Sequence, residues 1–151
     1  SGDDEGSYPE EGSNLRNRDI DELKKISGLK MLIVEDNRTN QLVVAAFAQK
    51  AGIDTSFAEN GMVCLEALER EKFDIILMDI QMPVMDGYEA ARELRRRGLT
   101  VPVIAVSAHA LTGERENCIN AGMNDYISKP VSPPELYKKI LDLIRPAGVN
   151  G

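Results

Sequence analysis

Residues 73–90 read FDIILMDIQMPVMDGYEA, and this stretch decides the fold class. Its apolar run at 75–78 has the length of one strand and ends directly in Asp79, and a helical pattern follows over 88–97. A run that is apolar on consecutive residues is expected for a central strand covered on both faces. The stretch therefore predicts one strand and one helix of a parallel α/β sheet.

The same alternation continues outward in both directions. Further strand-length runs occupy 31–34, 53–57, 103–106 and 125–128, and helical patterns occupy 40–51, 62–70, 112–121 and 134–144. Strands that alternate with helices imply parallel strands joined by right-handed crossovers. We therefore predict an α/β fold with a doubly wound, five-stranded parallel sheet.

Several helices carry signals for their faces and ends. The helix at 40–51 is expected to bury one apolar face, made by Leu42, Val43, Ala46 and Phe47. Glycines follow three helical patterns, as C-terminal caps should: Gly52, Gly98 and Gly122. Prolines stand at the start of the last helix, where a missing N–H costs nothing: Pro133 and Pro134.

Composition limits the class of protein. The chain has 151 residues, of which 42% are hydrophobic, and this fits one packed domain with a tail. The net charge of -7 argues against bulk nucleic-acid binding. No apolar run reaches the roughly 18 residues that a membrane span needs. Cys64 and Cys118 lack metal-type spacing and fall in helical patterns, so we expect buried, reduced thiols.

Three parts are expected along the chain. Residues 1–28 are acidic and rich in Gly and Ser, and they should be disordered, as a tether between domains or as a free end. Within them, residues 19–26 have the spacing of a short helical turn. Residues 29–145 should form the folded domain, and residues 146–151 a C-terminal tail.

Polar side chains follow four of the predicted strands. Glu35 and Asp36 end the first strand, Asp79 ends the third, Ser107 ends the fourth, and Lys129 follows the fifth. A lone Asp in such a position is usually a helix N-cap. However, ligands of a doubly wound sheet lie beyond the carboxyl ends of its strands. The joint placement therefore predicts a site at one rim of the sheet.

The residue types at this rim point to metal-assisted phosphoryl chemistry. Three carboxylates close together would repel each other, and a hard cation would remove that conflict. Mg²⁺, or Mn²⁺, prefers oxygen ligands, and the predicted set is Glu35, Asp36, Asp79 and the backbone carbonyl of Gln81. Asp79 can then attack phosphorus, while Ser107 and Lys129 offset charge on the phosphoryl oxygens.

At these residues the chain resembles the response-regulator receiver domains of two-component signalling. The matching text is MLIVEDN, FDIILMDIQMPVMDGYEA, VPVIAVSAHA and AGMNDYISKP, within residues 30–144. The resemblance implies a flavodoxin-like (βα)5 fold with strand order 2-1-3-4-5. It also implies that Asp79 is the phosphoacceptor, with Ser107 and Lys129 as its catalytic partners.

Further roles follow from the resemblance, and the one for His109 follows from its place two residues past Ser107, at the entrance of the predicted site. Ser107 and Tyr126 would be a switch pair, with the Tyr126 ring moving inward as Ser107 moves toward the phosphoryl group. A cis peptide bond would join Lys129 and Pro130. Gln81 and His109 would tune attack by water on the acyl phosphate, and a plain surface position remains the alternative for His109.

The text EDNRTNQLV and MDIQMPVMDGYEA looks most like receivers fused to hybrid histidine kinases. That resemblance implies a phosphorelay, in which a kinase phosphohistidine supplies the phosphoryl group and a histidine phosphotransfer protein receives it. The expected partners are this phosphotransfer protein and the dimerisation helices of a histidine kinase, docked mainly on the helix at 40–51. We expect a cytoplasmic monomer without nucleic-acid or direct membrane contact, which catalyses only its own phosphorylation and dephosphorylation.

Other classes are weighed against this hypothesis. A stand-alone, single-domain response regulator would carry the same site. An aspartate-nucleophile phosphatase would need a second carboxylate where Gln81 stands. A flavin-binding protein would need a Gly- and hydroxyl-rich loop where EDNRTN follows the first strand. The intact set of site residues argues against a pseudo-receiver that only binds partners.

Overall fold

The computed structural model describes residues 17–109 and 111–144, and it gives the solvent exposure of side chains from residue 21 onward. Its strands are β1 (Lys30–Val34), β2 (Asp54–Ala58), β3 (Ile75–Asp79), β4 (Val103–Ser107) and β5 (Asp125–Ser128). Its helices are α1 (Asn17–Lys24), α2 (Arg38–Lys50), α3 (Gly61–Arg70), α4 (Gly87–Arg96), α5 (Glu114–Asn120) and α6 (Pro133–Ile144).

The five strands form one parallel sheet with the order β2-β1-β3-β4-β5. This confirms the predicted fold class and the order 2-1-3-4-5. The reversal of strand order beside β1 and β3 is the switch point at which doubly wound sheets place their ligands. The carboxyl ends of β1 and β3 are therefore the place to look for a site.

Buried side chains lie on both faces of the sheet, because successive residues of a strand point to opposite sides. On one face, Leu32 and Met78 pack with residues of α3, α4 and α5. On the other, Ile33 and Leu77 pack with residues of α2 and α6. Every residue of β3 is buried, as its consecutive apolar run predicts.

Helix α2 buries a different face from the predicted one. Its buried residues are Gln41, Val44, Ala45 and Ala48, which share the spacing i, i+3, i+4, i+7. Leu42 and Val43 are 49% and 46% exposed, and Ala46 is exposed as well. The prediction of a buried face was therefore wrong for Leu42, Val43 and Ala46, whereas Phe47 is partly buried against the core. The small side chains of Ala45 and Ala48 let the helix lie close on the sheet.

The N-terminal segment also differs from expectation. Residues 17–28 form helix α1 and a turn, which agrees with the short helical turn expected at 19–26 but not with disorder up to residue 28. Ile26 is fully buried among residues of the α2 face, and Leu23 packs against the same cluster. The Gly28 N–H donates to the Gly52 carbonyl at 2.8 Å. Residues 1–16 and the tail 146–151 lie outside the described residues.

Smaller expectations agree with the structure. Gly52, Gly98 and Gly122 all have positive φ, as C-terminal caps should. Helix α6 begins at Pro133. Both cysteines are free and buried. Among the described residues, no helix has the length and apolar character needed to cross a membrane.

Candidate functional site

The strand register brings the predicted residues to one rim. β1 and β3 are paired neighbours, so Glu35 and Asp79 leave the sheet side by side. β4 and β5 are paired as well, so Ser107 lies opposite the residue that precedes Lys129. The predicted residues from four strand ends are therefore collected at the same edge.

Three carboxylates form the centre of this rim. One oxygen each of Glu35, Asp36 and Asp79 lies within 4.8 Å of the others. Glu35 is 6% exposed and Asp79 is 5% exposed, whereas Asp36 faces solvent. Like charges at this separation repel, and the repulsion is strongest between Glu35 and Asp79, where little water screens it.

Lys129 supplies a positive charge to the cluster. Its Nζ lies 3.0 Å from Asp79 Oδ2 and 3.3 Å from Glu35 Oε1. Burial alone would lower the pKa of Lys129, but its hydrogen bonds and attraction to Asp79 and Glu35 outweigh burial and raise that pKa. The ammonium therefore stays charged, yet one positive charge faces three carboxylates.

Main-chain and amide groups fix the first carboxylate. The Asn37 N–H donates to Glu35 Oε2 at 2.9 Å. The buried Gln41 amide donates to the backbone carbonyl of Glu35 at 2.7 Å. Asn37 also caps α2 by accepting from the Asn40 N–H. The turn that carries Glu35 and Asp36 is thus held to the start of α2.

The loop after β3 folds back onto Asp79. The Gln81 N–H donates to Asp79 Oδ1 at 3.1 Å. The Gly87 N–H donates to the Ile80 carbonyl at 2.8 Å, and a Cβ at residue 87 would lie only 2.5 Å from the Asp79 carbonyl oxygen. A side chain at this position would therefore push the start of α4 away from the strand that carries Asp79.

Ser107 is buried, and its hydroxyl points to groups other than Asp79 in this structure. Ser107 Oγ lies 2.8 Å from the His109 carbonyl and accepts from the His109 N–H at 3.1 Å. It also lies 3.3 Å from Glu114 Oε1. Glu114 in turn accepts a hydrogen bond from the Tyr88 hydroxyl.

The remaining predicted residues surround the site. The Lys129–Pro130 bond is cis. Tyr126 is half-buried and packs against the cluster under α3, α4 and α5. The side chain of His109 is exposed, and its backbone holds Ser107. The structure thus unites Glu35, Asp36, Asp79 and Lys129, with Ser107 adjacent in the sheet.

Comparison with known proteins decides the family. A family model for the response regulator receiver domain matches residues 31–141. The chain belongs to the response-regulator receiver domains. The receiver's curated relatives include a hybrid signal transduction histidine kinase from Dictyostelium discoideum, 38% identical over 74% of this chain. They also include the autoinducer 2 sensor kinase/phosphatase LuxQ of Vibrio vulnificus, 41% identical over 76% of the chain.

The receiver spans only a small part of these relatives. The matched region makes up 7% of the Dictyostelium discoideum kinase and 13% of LuxQ. The shared part is therefore the receiver domain of proteins that are much longer than it.

Solved structures show the same fold. The receiver domain of a sensor histidine kinase from Pseudomonas aeruginosa PAO1 is 43% identical, with a TM-score of 0.71 over 78% of this chain and 98% of that one. That structure has a magnesium ion coordinated in its active-site cleft. A second match is the receiver domain of a Saccharomyces cerevisiae response regulator, in complex with a histidine phosphotransfer signalling protein. It is 32% identical, with a TM-score of 0.69 over 74% of this chain and 86% of that one.

The sequence did not predict a role for three residues of this receiver's site: Gln41, Gly87 and Glu114. Gln41 lies three residues before Val44, so it shares the buried face of α2. Glu114 lies four residues before the buried Cys118, which places it on the inner face of α5. Helical spacing places both on inner faces once Val44 and Cys118 are known to be buried, but it does not give their hydrogen-bond partners.

Proposed function

We propose that this receiver takes a phosphoryl group from a histidine kinase phosphohistidine onto Asp79, with Mg²⁺ or Mn²⁺ held by Glu35, Asp36 and Asp79. The observation that carries the proposal is the set of three carboxylates within 4.8 Å beside a single ammonium at 3.0 Å from Asp79. Such an arrangement is costly for a structural ion pair and useful for binding a divalent cation.

The donor set fits a hard metal ion. All its side-chain donors are carboxylate oxygens, which Mg²⁺ and Mn²⁺ prefer. The backbone carbonyl of Gln81 is the proposed further ligand, and waters would complete the shell. When bound, the ion would offset negative charge on a phosphoryl oxygen next to Asp79. The magnesium of the Pseudomonas aeruginosa neighbour supports this choice.

Asp79 is the proposed nucleophile. A carboxylate oxygen of Asp79 forms a bond to phosphorus as the phosphorus–nitrogen bond of phosphohistidine breaks, and the electron pair stays on the imidazole nitrogen. Lys129 Nζ, already 3.0 Å from Asp79 Oδ2, offsets charge on one phosphoryl oxygen. The Ser107 hydroxyl is proposed to donate to another. Gln81 and His109 flank this site and are proposed to tune hydrolysis.

The proposed output is a change of surface. If Ser107 turns toward the phosphoryl group, it leaves room near β4 that the half-buried Tyr126 ring can fill. That movement would change the face made by α5, β5 and α6. A partner that binds only one form would thereby read the phosphorylation state.

The proposed docking surface lies on α2 beside the carboxylates. Leu42 and Val43 are about half exposed there. An adjacent cleft of about 310 Å³ is lined by Val43, Pro130 and Val131 and reaches Asp79. A helix of a kinase or of a histidine phosphotransfer protein could cover this apolar surface and bring its histidine to Asp79. The Saccharomyces cerevisiae complex supports a partner of this kind.

The proposed setting is the phosphorelay of a hybrid histidine kinase. Its support is that the curated relatives named above are sensor or hybrid kinases. In that setting residues 1–28 connect the receiver at 29–145 to a kinase core, and the receiver acts as a monomer in the cytoplasm. Helix α1 would then be the part of the connection next to the receiver.

The test is phosphotransfer onto the purified chain. A phosphorylated histidine kinase, or acetyl phosphate, should add one phosphoryl group in the presence of Mg²⁺, detected by intact mass. Because Asp79 supplies the attacking oxygen, Asp79→Ala should accept none, and EDTA should abolish transfer to the wild type. Asp142→Ala removes an exposed carboxylate on α6 and should accept as the wild type does.

Peptide mapping after borohydride reduction should place the modification on residue 79. Stoichiometric phosphorylation of Asp79→Ala would refute the assignment of the phosphoacceptor. A wild type that acquires no phosphoryl group from any donor would instead favour a pseudo-receiver.

A further inference from the structure

Glu114 is a buried carboxylate that the proposed chemistry does not use. It is the first residue of α5 and only 9% exposed. Among residues 17–109 and 111–144, two hydroxyl groups bond its side chain: Ser107 Oγ at 3.3 Å from Oε1, and the Tyr88 hydroxyl at Oε2. A carboxylate removed from water depends heavily on such donors.

The Ser107 hydroxyl cannot satisfy all its neighbours at once. A serine hydroxyl has one hydrogen to donate. Ser107 Oγ already accepts from the His109 N–H, so its hydrogen is shared between the His109 carbonyl at 2.8 Å and Glu114 at 3.3 Å. Donation to a phosphoryl group on Asp79 therefore requires Ser107 to leave both acceptors.

Tyr88 extends the connection to α4. Burial raises the pKa of Tyr88, and the hydrogen bond to Glu114 raises it further, so its hydroxyl remains a donor at neutral pH. Tyr88 directly follows Gly87, which packs on the Asp79 backbone. Glu114 thus lies between Ser107 and the start of α4.

We propose that Glu114 is a positioning residue, which holds the Ser107 hydroxyl in the orientation of the unphosphorylated receiver and links its release to Tyr88. The inference rests on the proposed function. When Ser107 turns to a phosphoryl group, Glu114 loses one of two donors but stays buried. That loss opposes the switch, so the acceptor strength of Glu114 sets how readily the receiver is activated.

The experiment measures Mg²⁺-dependent binding of beryllofluoride, which imitates a phosphoryl group on Asp79. Glu114→Gln replaces the carboxylate by a weaker, neutral acceptor, so it should bind about fivefold tighter, the effect of weakening one hydrogen bond. Glu116→Gln, an exposed carboxylate on the same helix, should bind as the wild type does. Tyr88→Phe leaves Ser107 as the remaining donor and should bind roughly threefold weaker.

The effect must pass through Ser107. In a Ser107→Ala background, Glu114→Gln should leave beryllofluoride affinity unchanged, because no hydroxyl remains to be released. An equal gain in both backgrounds, no gain, or weaker binding would overturn the proposal. Circular dichroism tests whether each variant folds. If Glu114→Gln does not fold, the expected weaker binding of beryllofluoride by Tyr88→Phe tests the proposal instead.

A second measurement needs no phosphoryl chemistry. In NMR spectra of the metal-free protein, Ser107→Ala should shift the Tyr88 ring signals, and Glu114→Gln should remove that response. If the wild type binds no beryllofluoride, the proposed function fails and this measurement alone decides on Glu114. Tyr88 signals that do not respond to Ser107→Ala would refute the coupling.

Discussion

The contact of Lys129 with Glu35 and Asp79 matters both for stability and for the proposed chemistry. The Lys129 ammonium lies within 3.3 Å of two buried carboxylates, Glu35 and Asp79. Taking these charges out of water is costly, and the attraction between them repays that cost only while all three are present. Removing the ammonium therefore leaves two buried negative charges unpaired.

Lys129→Met should destabilise the metal-free protein by roughly 1–3 kcal/mol, because a partly buried pair is broken on one side. Adding Mg²⁺ should return more stability to the variant than to the wild type, since the ion then supplies the missing positive charge. Urea unfolding with EDTA and with Mg²⁺ measures both quantities.

The matched control is Lys72→Met, which removes an exposed ammonium before β3. It should change the unfolding free energy by less than about 0.5 kcal/mol in either condition. A Lys129→Met protein as stable as the wild type in EDTA would show that the ion pair does not hold the carboxylates together.

At the scale of helices and strands, the strands were predictable from the sequence and the helix faces were not. Each central strand is a short consecutive apolar run between turn signals, as expected for a strand that is covered on both faces. In α2, by contrast, two faces have helical spacing, and the sequence favours the larger residues Leu42 and Val43. In the structure Ala45 and Ala48 face the sheet. How closely the helix approaches the sheet depends on both surfaces, so the sequence of the helix alone does not give the buried face.

The same distinction applies to the site. Glu35, Asp79 and Lys129 were predictable because strand ends of a parallel sheet meet at one rim. Glu114 was not, since its role depends on α5 lying against Ser107 and Tyr88. A carboxylate in an amphipathic helix looks like a solvent-facing residue until the packing of that helix is known.

The start of α4 offers a test at this scale. Gly87→Ala should destabilise the fold by about 1–3 kcal/mol, because its Cβ would overlap the Asp79 backbone and the helix must move. The same movement should displace Asp79 and weaken Mg²⁺-dependent beryllofluoride binding. Thermal unfolding and a binding titration measure the two effects.

Gly98→Ala is the control for this change. Gly98 follows α4 with a φ of 83°, and a Cβ there meets no neighbour. That substitution should cost stability through its backbone alone, about 1–2 kcal/mol, and leave beryllofluoride affinity unchanged. Equal binding by Gly87→Ala and the wild type would mean that α4 does not position Asp79.

In the molecule as a whole, the carboxylate site lowers the stability of a fold whose core is well packed. The sheet carries buried apolar residues on both faces, yet its rim gathers three carboxylates against one ammonium. A metal ion that binds only the folded chain would stabilise it by mass action, by about 2.7 kcal/mol at a hundred times its dissociation constant. Folding and metal binding should therefore be coupled.

Asp36→Asn separates the repulsion among the carboxylates from the stabilisation by a bound metal ion. Asp36 belongs to the carboxylate cluster but not to the Lys129 ion pair. Without Mg²⁺ the variant should be more stable than the wild type by about 1 kcal/mol, since one repelling charge is gone. With saturating Mg²⁺ the order should reverse, because the variant binds the ion more weakly. Melting temperatures in EDTA and in Mg²⁺ test this reversal, with the exposed Asp142→Asn as a control that shows no Mg²⁺ dependence beyond that of the wild type. If Mg²⁺ does not raise the melting temperature of the wild type, the proposed coupling is wrong. The three carboxylates would then not be a binding site for the divalent ion.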